Sequence, residues 1–303
     1  MVVRSMIVML LAGLFGWAVT RQPAVAKELG DRARARAADL LRAALNDAGA
    51  KAAAPEQQRD SLVQAAGAAA DLLGPKSRAA ERLRSAIAEA SGPTGLPPAE
   101  AATALRRSLA EVAKDLGFRL RVEAEQPEGF PSPTPVGEIE LKQYPVYRKA
   151  QTESSPNAAF WKLFTHIKRN DIAMTAPVEM QYEAAADSPR QQNMAFLYGK
   201  PDMGETGKVA SVDVLDVPQM TVVSLGVRGP QNQRSVLEAQ RQLEAWLKAN
   251  DATWIATGPL RTMGFNSPFV PREQNYFEVQ IPIQKTTKQP VAAETELRPA
   301  ANS

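Results

Sequence analysis

Residues 172–180 read IAMTAPVEM. Ile172, Met174, Val178 and Met180 fall on one parity and Ala173, Thr175 and Glu179 on the other, the two-residue period of a β-strand. Pro177 interrupts it. Proline has no N–H to give to a ladder, so it belongs at an edge, a bulge or a bend. The reading of this stretch depends on which strands lie beside it and which helix precedes it.

Immediately upstream, Ser154–Lys168 carries Phe160, Leu163, Phe164 and Ile167 at i, i+3, i+4, i+7, one face of a helix. Its opening, Ser154-Ser155-Pro156-Asn157, offers capping oxygens and a proline suited to a first turn. A second helix is predicted over Gln231–Ala249, with Val236, Leu243 and Leu247 on one stripe. Strand-like alternation is predicted at Glu138–Thr152, Ile172–Tyr182, Met194–Tyr198, Val212–Val217, Thr221–Arg228, Trp254–Phe265 and Tyr276–Ile283. Strand, helix, strand, strand therefore occurs twice. The helix-to-strand joints correspond, IKRNDIAMTAPV (167–178) in the first copy and WIATGPLRTMGFNSPF (254–269) in the second. The expected class is α+β: a curved antiparallel sheet or distorted β-barrel of two βαββ repeats with two flanking helices.

The first part of the chain has a different texture. Residues 27–126 are rich in alanine, arginine and leucine and show no alternation. Gly49, Pro55, Gly74-Pro75, Gly92-Pro93, Pro97-Pro98 and Gly117 cut them into helical pieces. Leu105, Leu109, Val112 and Leu116 mark one clear face. A small helical bundle of three to five helices is expected, with Arg32, Arg34 and Arg36 on solvated surface. PEGFPSPTPVG (127–137) reads as an extended proline-rich linker, 138–284 as the sheet domain, and 285–303 as a disordered tail.

Composition excludes several classes of function. Net charge is +3, and residues 27–126 carry sixteen basic against fourteen acidic side chains, residues 137–284 fifteen against sixteen. Neither has the one-signed field of a nucleic-acid binder. The chain has no cysteine, so disulfides, thiol nucleophiles and thiolate metal sites are absent. It has one histidine, His166. Arg4, the apolar run from Met6 to Val19 and Ala24-Val25-Ala26 match a secretory signal peptide (1–26) cleaved after Ala26. The expected location is the periplasm or cell envelope, the alternative being an N-terminal membrane anchor.

IELKQYPVYRKAQT, FWKLFTHIKRNDIAMTAPVEM, TGPLRTMGFNSPF and NYFEVQIPI together resemble the SOUL/haem-binding protein family, over about residues 137–284. The resemblance implies the two-repeat barrel already expected. It also implies non-covalent binding of haem or another tetrapyrrole in an apolar cleft between the first helix and the loop Asn266–Arg272, with no reaction common to the family. A proline-stiffened loop would hold such a cleft open without an ordering cost on binding.

A porphyrin needs an apolar slot, partners for two propionates and, optionally, an iron ligand. The slot candidates are Phe160, Leu163, Phe164, Ile167, Met174, Phe265, Pro268, Phe269 and Val270. The helix stripe has a competing reading as plain core, since any amphipathic helix shows this spacing. Lys162, Lys168, Arg169 and Arg272 are candidate propionate partners. His166 is the candidate metal ligand, set against a reading as a flank residue; Met174 and Tyr147 are alternatives. No catalytic residues are assigned. The rival readings are a small-molecule hydrolase using Glu138, Glu140, Glu179 or Glu278 with Tyr182 or Tyr276, and an envelope interaction protein whose residues 27–126 bind a protein partner.

Overall fold

The computed structural model describes residues 27–92, 96–183 and 189–286. The segment read as signal peptide, 1–26, lies outside them, as does the tail read from 285 except for its first two residues: Lys285 pairs with Trp254 and the Thr286 amide donates to Thr253 O (2.8 Å).

Residues 27–46 form helix α1, followed by α2 (Ala48–Ala52), α3 (Pro55–Leu73), α4 (Arg78–Ser91) and α5 (Pro98–Leu116). Prolines open α3 and α5, where a missing N–H costs nothing. Ser77 caps α4, its Oγ accepting from Ala80 N. The core of these helices is Leu41, Leu62, Leu83, Leu105 and Leu109 set among alanines such as Ala37, Ala66 and Ala80. Alanine lets the helices approach closely while losing no side-chain entropy.

The second part contains β1 (Ile139–Tyr144), β2 (Tyr147–Thr152), α6 (Pro156–Arg169), β3 (Val178–Tyr182), β4 (Gln191–Leu197), β5 (Gly207–Val209), β6 (Val212–Val217), β7 (Met220–Arg228), α7 (Gln233–Ala249), β8 (Trp254–Ala256), β9 (Arg261–Gly264) and β10 (Tyr276–Lys285). All ten strands join one antiparallel sheet in the order β1-β7-β10-β9-β3-β4-β2-β6-β5, with β8 on β10. The sheet is not closed into a barrel, which corrects the expected architecture. β1 has a strand partner on one side only, β7. The expected strand Glu138–Thr152 is broken at Pro145, which has no N–H to offer, and β1 and β2 pair with different neighbours.

The opening stretch is corrected in a similar way. Ladder pairing begins only at Val178, directly after Pro177; the residues before it return irregularly from α6. Trp254–Phe265 is likewise two short strands, β8 and β9, and β5 lacks an alternating signal because it has three exposed residues.

The two helices cover one face. α6 lies over β2, β4 and β6, burying Leu163 and Ile167 against Ala150, Met194 and Phe196. α7 lies over β7, β8 and β10, burying Val236 and Leu243 against Val223, Val279 and Ile281. The other face is covered by the chain joining α5 to β1. Phe118, Leu120, Phe130 and Val136 pack there against Tyr144, Tyr147, Phe265 and Tyr276. The expected linker is therefore a strap across the sheet. It crosses β7 so closely that a Cβ on Gly226 would sit 2.3 Å from Thr134 O.

The helical part is docked through charge. Glu138 receives Arg34 Nη1 (3.0 Å), Ser77 Oγ (2.8 Å) and the Arg78 amide (3.0 Å), so one carboxylate binds α1 and the start of α4. Arg228 reaches Asp115 (3.0 Å) and Glu111 (3.1 Å) on α5. Arg34 is thus not solvated surface, as its sequence setting suggested; it is a docking residue, drawn in by Glu138 and the Val136 carbonyl.

Candidate functional site

Two regions of the sheet hold the chemistry, one under the strap and one between the helices. Under the strap lie two carboxylates with no exposure at all. Glu278 accepts from Lys142 Nζ (2.5 Å), the Thr134 amide (2.7 Å), Gln280 Nε2 (2.6 Å) and Ser224 Oγ (3.1 Å). Glu179 accepts from Lys149 Nζ (2.5 Å), Tyr147 Oη (2.8 Å) and Arg261 Nη1 (3.2 Å). Arg261 also donates to Gln280 (3.0 Å) and lies over the Tyr144 ring at 4.9 Å. Burial pushes the Lys142 ammonium below its ordinary range, although Glu278 opposes the shift. Burial would raise Glu179, but Lys149 and Arg261 outweigh it and hold this carboxylate low. Burial raises Tyr276, and Glu278 beside it adds to the effect.

These groups are committed to one another and faced by the strap. Glu138 docks the helices, Tyr182 is buried under α7, and Tyr276 Oη sits between Thr134 O and Glu278. Three of the four carboxylates considered for acid–base work, Glu138, Glu179 and Glu278, thus serve as structural anchors, while Glu140 is exposed on β1.

The second region is the seam between α6 and α7. Neither helix lies mainly over β3 or β9, which pair with each other through Val178 opposite Gly264 and Met180 opposite Thr262. Val178, Met180 and Gly264 are half-buried. On one bank, Phe160 and Phe164 of α6 stack at 6.0 Å with their planes 9° apart. Both are half-buried, as is Met174, and these three, like Val178 and Met180, pack against the buried core under α6. Trp161 stands edge-on to Phe164 at 5.9 Å, and Lys168 Nζ lies 5.8 Å from the Phe164 ring centre. On the other bank is a crevice of about 460 Å³, lined by Pro230, Gln231, Gly264, Pro268, Val270 and Arg272 among others. Gln231 Nε2 donates to Thr262 Oγ1 (2.7 Å) and reaches Met180 Sδ (3.4 Å), which ties the two banks together.

The twelve residues singled out from the sequence are divided by this geometry. Phe160, Phe164 and Met174 border the seam on one side and Pro268, Val270 and Arg272 on the other. Leu163 and Ile167 are fully within the α6 core, where the competing reading of the stripe placed them. Phe265 belongs to the strap face, 5.3 Å from Tyr276. Phe269 is 93% exposed at the tip of its loop. Lys162 donates to Ser154 Oγ at 2.8 Å on the outside of α6. His166 is buried with Nε2 2.9 Å from Tyr198 Oη, and burial lowers its pKa below the ordinary histidine value. While this bond stands, Nε2 is not free to meet an iron atom, and only Nδ1 could do so. Met180 and Gln231 were missed. The parity of residues 172–180 already placed Met180 beside Met174 and Val178; Gln231 had no signal, since it lies before the α7 stripe begins.

Structural similarity to solved proteins is confined to about half the chain. The EcmrR C-terminal domain matches with 16% identity and a TM-score of 0.38, over 49% of this chain and 98% of that one. EcmrR in its DNA complex matches with 15% identity and a TM-score of 0.39, over 49% of this chain and 58% of that one. A hydrolase from Listeria innocua matches with 12% identity and a TM-score of 0.38, over 50% and 94%. No curated protein matches the chain. Residues 132–282 match the SOUL heme-binding protein family, and it is to this family that the C-terminal half of the chain belongs.

Proposed function

We propose that the SOUL half binds haem or another tetrapyrrole, a flat apolar ligand, along the seam between α6 and α7. The observation that supports this most is the half-buried strip Phe160, Phe164, Met174, Val178 and Met180 leading to the Val270–Arg272 crevice. Ligand sites are concave, mostly apolar and carry few polar groups, with volumes of about 300–1,000 Å³. The crevice has the volume but a mixed lining, with Gln231, Asn232, Asn266, Ser267, Arg272 and Asn275 among its twelve residues, so the apolar face is the strip on α6 and β3. Two aromatic planes 9° apart offer a stacking face, and Lys168 and Arg272 lie on opposite banks within the class that pairs with propionates. Bound there, a tetrapyrrole would supply a conjugated plane for Phe160 and Phe164 to face. The protein's part is to exclude water from that plane and to fix it by the carboxylates. The reading assigns no iron ligand: His166 is buried and is not among the residues of the strip.

Titration of the full chain with hemin and with metal-free protoporphyrin tests this. Both should quench Trp161, which adjoins Phe164, and Phe164→Ala with Met180→Ala should weaken both by about tenfold or more. Hemin binding that is indifferent to this pair of substitutions rejects the seam. Hemin spectra unchanged in His166→Ala would agree with a site lacking this ligand. Export of the chain, read from residues 4–26, completes the proposal: the ligand would be held outside the cytoplasm.

A further inference from the structure

The loop that closes the crevice has a second side. Ser267–Val270 is a reverse turn, with the Val270 amide 3.2 Å from Ser267 O and Pro268 and Phe269 between them. Val270 points into the protein, but Phe269 is 93% exposed. The strap runs alongside. Asn266 Nδ2 donates to Arg121 O (2.9 Å), and Ser267 donates to Glu123 from its amide (2.7 Å) and its hydroxyl (3.1 Å). These bonds fix Val122, 77% exposed, beside the same turn. Scattered exposed apolar residues need no explanation. Here, however, the two most exposed large apolar side chains among the described residues share one tip.

The charge around the tip is also sorted. Arg119 and Arg121 both precede Val122, are exposed, and form no salt bridge among the described residues, although Arg121 acts on Glu123 through space. The carboxylate next to them, Glu123, is turned onto Ser267. Lys27, Arg34 and Arg119 line one crevice with the carboxylates Asp31 and Asp115, on the side towards the helices.

We propose that this tip is a contact for an anionic lipid surface. Phe269 and Val122 enter the interfacial layer, where aromatic side chains are favoured, and Arg119 and Arg121 pair with headgroup phosphates. The contact uses the outer side of the loop whose Pro268 and Val270 line the crevice, and its test needs no tetrapyrrole. Because the chain has no cysteine, Phe269→Cys gives a single attachment point for an environment-sensitive fluorophore. Val209→Cys, exposed on β5 at the sheet edge, is the control. The full chain is mixed with vesicles of phosphatidylcholine containing phosphatidylglycerol, and with vesicles of phosphatidylcholine alone. The label at 269 should shift to the blue with anionic vesicles and the label at 209 should not. Arg119→Gln with Arg121→Gln should raise the anionic lipid needed by about 25-fold, roughly fivefold per arginine. A label at 269 that stays in water, an equal shift at 209, or an equal response to neutral vesicles overturns the proposal.

Discussion

Glu179→Gln should remove most of the stability of the sheet. The substitution keeps the shape and deletes one charge. Glu179 is shared by Lys149 and Arg261, whose side chains are 4% and 2% exposed, so both cations lose their counter-charge together. Removing one partner of a buried pair costs about 3–5 kcal/mol, because the remaining charge is stranded out of water. With two stranded cations the loss should reach about 5 kcal/mol, against a typical total of about 5–15 kcal/mol. Urea unfolding followed by far-ultraviolet dichroism and tryptophan fluorescence measures it. The matching change at Glu278 strands only Lys142 and should cost less. The decisive comparison is Lys149→Met in the Glu179→Gln background. It removes one stranded charge and should return at least about 1 kcal/mol, a coupling within the range seen for residues in contact. A loss below about 1 kcal/mol for Glu179→Gln alone, or strict additivity in the pair, would show that these charges are not held dry.

Acid should weaken the fold in two stages. His166 has a folded pKa below its ordinary value of 6.5, so the stability of its neutral form is complete above pH 6.5 and is lost as pH falls below it. Glu179 is held below its ordinary 4.5, so its contribution is complete above that value and drains away at lower pH. Urea midpoints measured against pH should show both stages, and His166→Gln should erase the first. Gly226→Ala should lift the strap, since the new Cβ meets backbone at 2.3 Å; a cost of about 1–3 kcal/mol and faster proteolysis within 118–135 are expected. Glu138→Ala should free the start of α4, with faster hydrogen exchange at the Arg78 and Ala79 amides and a loss of about 1.5–3 kcal/mol. Unchanged exchange there would mean that Ser77 alone holds that end.

The helices were legible because their information is local. Leu105, Leu109, Val112 and Leu116 are all buried as their spacing required, and the Phe160–Ile167 stripe does face the sheet. Strand closure was not legible, because whether β1 meets a second partner depends on how the chain leaves Pro145, not on alternation. The buried charges were legible only in part. Lys142 shares its parity with Tyr144, and Lys149 shares its parity with Tyr147, so each lysine stood on an inward face. What could not be read was why that is tolerable, since Lys142 finds its carboxylate 136 residues away. The strap escaped for a related reason. Phe118 follows the end of α5 and Phe130 sits in proline-rich sequence, neither with a period, and an unpatterned aromatic does not announce what it covers.

The Thr134 amide bonded to Glu278 has a consequence for how this protein can be taken apart or rebuilt. The proline-rich stretch looks like a natural place to exchange one partner module for another. Yet a transplanted neighbour would have to deliver a peptide N–H to the same carboxylate, an arginine and a helix start to Glu138, and a ring to the cleft between Tyr144 and Tyr147. Thr134 lies inside the family match but Phe130, Arg34 and Arg78 do not, so a domain cut at residue 132 would lose the ring over Tyr144 and Tyr147 and leave Glu138 without its partners.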